Sequence, residues 1–418
     1  MVSRLRPHPL IRHAAGAALG LLLLATACRG RPPGQTEATV ASLVDSLVPA
    51  VEKFAALRFR TPPRSAVRSR DQVRAYVLAK LDQEFSADKA KGMEASYRLL
   101  GLLPDTLDLR ALLLDLFTEQ IVGYYEPDSS QLFVVATADE TVLKAVVAHE
   151  LVHALQHQYL ALDSIMEQVG DNDRLLAAQS VLEGQATLVG LQVMVPDQNL
   201  YAMPELWEAS RDRIREQQAA MPVFSKAPRI LRESIIFPYL AGADFIRAWE
   251  GSELRDTVPF GVRMPVSTEQ IINPHRYFQG DQPLTIRFTT PEPRVLYEDT
   301  MGEFDLRILA ADLAALPVSA EIATPLSPGW GGDRFRVYET PAGPALVWYL
   351  VWDDPVSRTR FHGTTGQRLE SRRRLGYRLE VSQLMVGDRP ASRVVMAPDG
   401  WLGWNQVSGV EVVPGPAQ

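Results

Sequence analysis

The stretch AVVAHELVHALQHQYLALD, residues 145–163, carries His149, His153 and His157, three of the seven histidines in a chain of 418 residues. The segment before it, TADE at 137–140, has the form of a helix start, with Thr137 as cap and Glu140 answering it. From there to about Tyr159 the spacing predicts one helix. Residues four apart on a helix share a face one turn apart, so His149 and His153 stand side by side. Glu150 points sideways from that line.

His149, Glu150 and His153 make the pattern HExxH. Two imidazoles so placed can reach one metal ion at the ~2.0–2.1 Å that zinc requires. Zinc lowers the pKa of bound water to about 7, and a carboxylate beside it can take the proton. The expected metal is Zn2+, the ligands His149 and His153, and the general base Glu150; the pattern is a zinc-protease signature. His157 does not fit the same ion, because it lies about 12 Å along the axis from His149. The glycine and later histidine of HExxHxxGxxH are also missing. His157 is therefore expected to be a surface or supporting residue.

A third ligand must come from elsewhere, and a carboxylate is usual beside two such histidines. Glu183 in SVLEGQATLVG is the candidate, since Leu182, Ala186, Leu188 and Val189 predict a largely buried helix over 173–194. A buried acid is costly unless paired or metal-bound. Gly184 and Ala186 are expected to let this helix approach the first one closely. Asp163, Glu167, Asp171 and Asp173, between the two helices, are the fallback ligands.

Working outward, helices are predicted over 37–59, 71–85 and 108–120, with Pro49 inside the first and TPPRS breaking the chain before the second. IVGYYEPDSSQLFVVAT reads as two extended runs around a turn, a short β-hairpin ahead of the motif helix. Further helical pattern covers 233–250 and part of 265–277. After the proline-rich TTPEPRV come a helix at about 303–315 and the strand-like runs RFRVYE, ALVWYLVW, YRLEVSQLMV and SRVVMA. GWGGDRF lacks the spacing and lysine of a phosphate loop. Trp330, Trp348 and Trp352 are most simply packing residues, with an aromatic patch for a partner or glycan as the alternative.

The N-terminus sets the location. Arg4, Arg6 and Arg12 precede an uncharged apolar run from Ala14 to Ala27, too short for the roughly 20 residues of a spanning helix but suited to a signal peptide. It ends in LATAC, a lipobox-like sequence whose Cys28 is the single cysteine of the chain and the expected lipidation site. The formal net charge of −7 and the absence of a basic stripe argue against a nucleic-acid partner.

HExxH followed by a glutamate on the next long helix, 30 positions after His153, resembles the gluzincin arrangement. AHELVHALQHQ, LEGQAT, FPYLAGADFI, PVSTEQIINPHRY and GWGGDRF together resemble a family of uncharacterised bacterial exported proteins and lipoproteins, described as peptidase-MA-like HExxH zinc metallopeptidases. That resemblance spans most of residues 110–360 and implies zinc at His149, His153 and Glu183, with Glu150 as base. It also implies that QLFVVA is the strand whose edge binds an extended peptide. A downstream tyrosine or histidine would steady the oxyanion. Tyr239, His275 and Tyr277 qualify, and Tyr239 is preferred because it lies in a long apolar helix.

The expectation is an α+β protein: signal peptide 1–27, tether 28–36, a mostly helical gluzincin-like metallopeptidase domain 37–290 and a C-terminal α+β domain 295–418. The expected reaction is zinc-dependent peptide-bond hydrolysis on a peptide or protein substrate, by an exported protein lipid-anchored at the cell envelope. Two alternatives are a binding or scaffold lipoprotein that keeps the fold without turnover, and a zinc hydrolase acting on a cell-wall amide.

Overall fold

The computed structural model describes residues 34–138, 140–160, 171–289, 295–316, 329–407 and 409–413. Cys28, the signal peptide and most of the tether lie outside them, as do Asp163 and Glu167. The fold is α+β. No helix among the described residues is long and apolar enough to cross a membrane.

The N-terminal half builds a small sheet against helices. Helix α1 (Glu37–Ala55) is capped by Thr36 and buries Val40, Val44, Leu47, Val51 and Ala55, the three-to-four spacing of one helical face. It stops four residues short of the expected end, where Ala56 turns left-handed at φ 53°. Where TPPRS was expected only to interrupt, the chain enters strand β1 (Arg64–Arg68). Helices α2 (Arg70–Glu84), α3 (Ala87–Leu99) and α4 (Leu109–Gln120) follow, each started by a side-chain cap, Ser69, Ser86 and Asp108. The predicted hairpin is present as β2 (Gly123–Glu126) and β3 (Gln131–Val135).

The order of this sheet corrects one expectation. It runs β1-β3-β2, with β3 parallel to β1 and antiparallel to β2. The QLFVVA strand is thus central and has no open edge. The edge strand on the motif-helix side is β2, where Gly123 packs on Val146 and Glu150 of α5 (Glu140–Tyr159). Because Val135 N–H donates to Val122 O, alternation turns the backbone of Gly123 and Tyr125 away from β3. Helix α5 runs over Glu140–Tyr159, and the expected cap, which would involve Asp139 and the side chain of Glu140, lies outside the described residues.

Three long helices follow: α6 (Asn172–Met194), α7 (Pro204–Ala219) and α8 (Arg229–Glu250). The stretch 265–277 holds two short helices, α9 (Thr268–Ile272) and α10 (Pro274–Phe278). Strand β4 (Thr285–Phe288) pairs with the last strand, β10 (Val410–Val413). Strand β5 (Val295–Asp299) opens a five-stranded antiparallel sheet ordered β5-β6-β7-β9-β8, and helix α11 (Gly302–Leu313) packs with α8 and α9. The other strands are β6 (Trp330–Thr340), β7 (Gly343–Trp352), β8 (Tyr377–Val386) and β9 (Arg389–Pro398). One apolar cluster joins α3, α6, α8 and α11 to β6, β7 and β9, with Trp207, Trp249, Trp330 and Trp348 in it.

GWGGDRF is a structural joint. Asp333 accepts hydrogen bonds from the backbone N–H of Met301 and Gly302, which start α11, and from the indoles of Trp330 and Trp348. Trp330, Trp348 and Trp352 are each no more than 2 % exposed, so they pack the core and form no open aromatic patch.

Candidate metal centre

Helix α5 lies between β2–β3 and α6, and one apolar cluster joins Leu132 and Val134 of the sheet to Val147, Leu151 and Leu155 of α5 and Ala186 and Val189 of α6. The close approach of α6 to α5 comes from Gly190, where a Cβ would stand 3.3 Å from Ala145 O and 3.5 Å from His149 Cβ. Gly184, expected to serve that contact, faces α8 instead: a Cβ there would overlap the backbone of Gly242. The motif residues face this helical interior. His149 and Glu150 are fully buried, His153 is 1 % exposed and Glu183 7 %.

His149 Nε2 and His153 Nε2 are 3.0 Å apart, and Glu183 Oε2 lies 3.1 Å from the first and 3.3 Å from the second. The edge of a tetrahedron built on zinc bonds of ~2.0–2.1 Å is about 3.3 Å, so this triangle has nearly the size of three ligands on one ion. The donor chemistry agrees. Two imidazole nitrogens and a carboxylate oxygen converging without a cation would set lone pairs against one another unless a proton came between them. His149, His153 and Glu183 are the one buried group of this kind among the described residues that can hold a metal ion.

The electrostatics follow from burial and proximity. Burial alone would raise the Glu183 pKa, but the His153 charge and hydrogen bonds from both imidazoles outweigh it and hold it down at about 2. Burial lowers His149. For His153 burial also acts downward, yet the charge and hydrogen bond of Glu183, with Glu150 adding, bring it up to about 9.

Glu150 differs from its neighbours. Neither carboxyl oxygen has a hydrogen-bond partner although both are buried. Burial pushes its pKa up to about 8, only partly offset by the His153 charge and the nearby Tyr125 backbone. A buried, unpaired carboxyl costs about 1–3 kcal/mol or more, so it is retained against a stability penalty. Its place on α5 against edge strand β2, one residue along the helix from His149, suits proton transfer to and from a molecule held at the triangle.

The remaining candidates divide. Tyr239, from α8, is 6 % exposed and stacks on His149, with ring centroids 6.0 Å apart and planes at 22°. The hydroxyl of Tyr277 donates to Arg263 O, and His275 is exposed, unlike the buried cluster. His157 Nδ1 is 2.7 Å from the Tyr125 hydroxyl and supports strand β2. Asp171 caps α6 through Arg174 N–H, while Asp173 binds Thr268 at the start of α9. Neither acid is a ligand.

Sequence reasoning missed Gln156 and Gln185. Gln156 Oε1 is 2.8 Å from His153 Nδ1, and its Nε2 donates to Leu182 O at 3.0 Å and to Gln185 Oε1 at 2.9 Å. The available signal was spacing: Gln156 follows His153 by three, one helical turn, and Gln185 follows Glu183 by two.

Comparison with known proteins adds little. Residues 293–399 match a domain of unknown function (DUF8575), a span that does not include His149, His153 or Glu183. No curated protein matches the chain. A crystal structure from Chloroflexus aurantiacus, described as "a putative hydrolase with a novel fold", is 19% identical to this chain over 58% of it and 89% of its own length, with a TM-score of 0.39. A likeness of that degree carries no argument about activity.

Proposed function

We propose that the protein is a zinc metallopeptidase whose centre is His149, His153 and Glu183, with Glu150 as acid and base. The observation that supports this most directly is the triangle of ligand atoms at 3.0–3.3 Å beside a buried, partnerless carboxyl. Three protein ligands leave one position of a tetrahedron for water or substrate, the form of catalytic rather than structural zinc sites.

A zinc ion held there supplies Lewis acidity toward water and a scissile carbonyl. Glu150 takes a proton from the attacking water as the C–O bond forms. It gives that proton to the amine nitrogen as the C–N bond breaks. Tyr239, stacked on His149, is the proposed donor to the developing oxyanion. An extended peptide is proposed to pair with the outward backbone of Gly123 and Tyr125, the β2 edge beside Glu150.

Location is part of the proposal: export directed by residues 1–27 and a lipid anchor at Cys28. Gln35 N–H donates to Ala136 O just before the motif helix. A chain of seven residues spans at most about 25 Å, so an anchor at Cys28 would hold this helix near the lipid surface. Membrane-proximal polypeptides are then the substrate class within reach.

A second reading has one observation in its favour. Burial of the whole cluster also suits a scaffold protein that keeps its metal without turnover. Turnover of casein or a peptide library by wild type and Glu150→Gln separates the two. We expect the variant to keep its metal and lose activity by about 10²–10⁴-fold. Wild-type protein that holds zinc and cleaves no peptide removes the peptidase reading. Release of fragments from purified peptidoglycan in the same assay would move the reaction to a cell-wall amide.

A further inference from the structure

We infer that Gln156 is a positioning residue for the metal centre: it holds a proton on Nδ1 of His153, so that Nε2 is the nitrogen left for the ion. The inference rests on reading His149, His153 and Glu183 as ligands, and it deepens that reading.

The argument is one of donors and acceptors. A glutamine amide offers two N–H donors and one carbonyl acceptor. Leu182 O can only accept, so the Gln156 group 3.0 Å from it must be the NH2. The same NH2 reaches Gln185 Oε1 at 2.9 Å. Both donors are then used, and the atom 2.8 Å from His153 Nδ1 must be the carbonyl oxygen. A carbonyl oxygen accepts and cannot donate. His153 must therefore carry a proton on Nδ1, and Nε2, which faces His149 Nε2 and Glu183 Oε2, is the nitrogen left to offer a lone pair to an ion. The orientation of the amide follows from the fixed carbonyl of Leu182 and not from its drawn atom names.

Burial makes the arrangement rigid. Gln156 is fully buried and Gln185 is 8 % exposed, so water does not compete freely for these bonds. The partners also tie two events together. Leu182 and Gln185 lie on α6 on either side of Glu183. Docking of α6 on α5 thus delivers the carboxylate ligand and, through Gln156, turns the ring of His153 to meet it. A histidine ligand held in this way by a hydrogen bond on its far nitrogen gains in basicity and loses rotational freedom.

The test uses the folded chain and three variants, Gln156→Leu, Gln156→Glu and Gln185→Leu. Zinc affinity is measured by competition with a chelator, and the ring nitrogens of His153 by 15N NMR on metal-free protein. Gln156→Leu removes the acceptor and is expected to weaken zinc binding by about 10–100-fold. Gln156→Glu keeps an acceptor for Nδ1–H but loses both donors. It is expected to hold zinc within about tenfold of wild type while melting at a lower temperature. Gln185→Leu removes one anchor of the amide and falls between wild type and Gln156→Leu in affinity. In wild type a slowly exchanging proton resides on His153 Nδ1, and Gln156→Leu loses that protection.

A folded Gln156→Leu protein with wild-type zinc affinity overturns the proposal. So does a wild-type His153 without a protected proton on Nδ1, a result that also decides the matter if Gln156→Leu does not fold. A protein that takes up no zinc defeats the metal reading, and the proton measurement still judges the role of Gln156.

Discussion

Gly242 of α8 lies so close to Ser180 of α6 that a methyl group on its α-carbon would overlap the Ser180 carbonyl. The neighbouring Gly184 makes the reciprocal contact with the Gly242 backbone. These two glycines set the distance between the helix that carries Glu183 and the helix that carries Tyr239. Gly242→Ala must drive the backbones apart, and overpacking of this kind costs about 1–3 kcal/mol or more. Thermal unfolding should show that loss, and zinc affinity should fall with it. Unchanged melting and binding would show that the crossing is looser than the contact implies.

Glu183→Ala removes a ligand from the triangle and leaves two buried imidazoles. Purified wild-type protein is expected to carry about one zinc per chain, and the variant close to none after dialysis, as judged by elemental analysis. Full zinc in the variant would take Glu183 out of the centre.

Tyr239→Phe keeps the ring that stacks on His149 and deletes only the hydroxyl. As the oxyanion donor, Tyr239 should contribute about 10²–10³-fold to kcat, with KM and zinc content nearly unchanged. A variant within about threefold of wild type in kcat moves the role to another group.

Away from the centre, burial pushes the carboxyl of Asp305 up to about 7; its Oδ2 accepts from Tyr97 and its Oδ1 has no partner. An acid with a raised folded-state pKa binds more protons folded than unfolded between its ordinary value near 3.9 and 7. Its effect on stability is therefore unfavourable as pH rises through that window, with a slope of up to about 1.4 kcal/mol per pH unit, and levels off above 7. Asp305→Asn stays neutral and should remove this slope, so wild type and variant should diverge in urea-midpoint series from pH 4 to 7. Parallel series would assign the pH dependence elsewhere.

The elements whose pattern is local were readable in the sequence. The motif helix, the α6 helix, the hairpin and the four long C-terminal strands carry their period in consecutive residues, and they appear within a few residues of expectation. The convergence of His149, His153 and Glu183 was legible because residues four apart share a helix face and a buried acid needs a partner. What could not be read depends on partners distant in the chain. Strand β1 exists because Arg64–Arg68 finds β3 more than sixty residues later, and that pairing makes QLFVVA central instead of an edge. Gly184 was assigned to the wrong neighbour because a small residue signals close approach without naming the helix that approaches. Gln156 looked like an ordinary polar residue on a helix, and only the arrival of Leu182 and Gln185 gives its amide a direction.

The interior placement of His149, Glu150 and His153 also bears on how an ion would leave. A dissolved chelator meets His149 and Glu150 fully buried and His153 only 1 % exposed, so its access to their donor atoms depends on local opening of the surrounding helices. Stripping should then run at a rate set by that breathing motion, levelling off as more chelator is added, and loading from outside should obey the same gate.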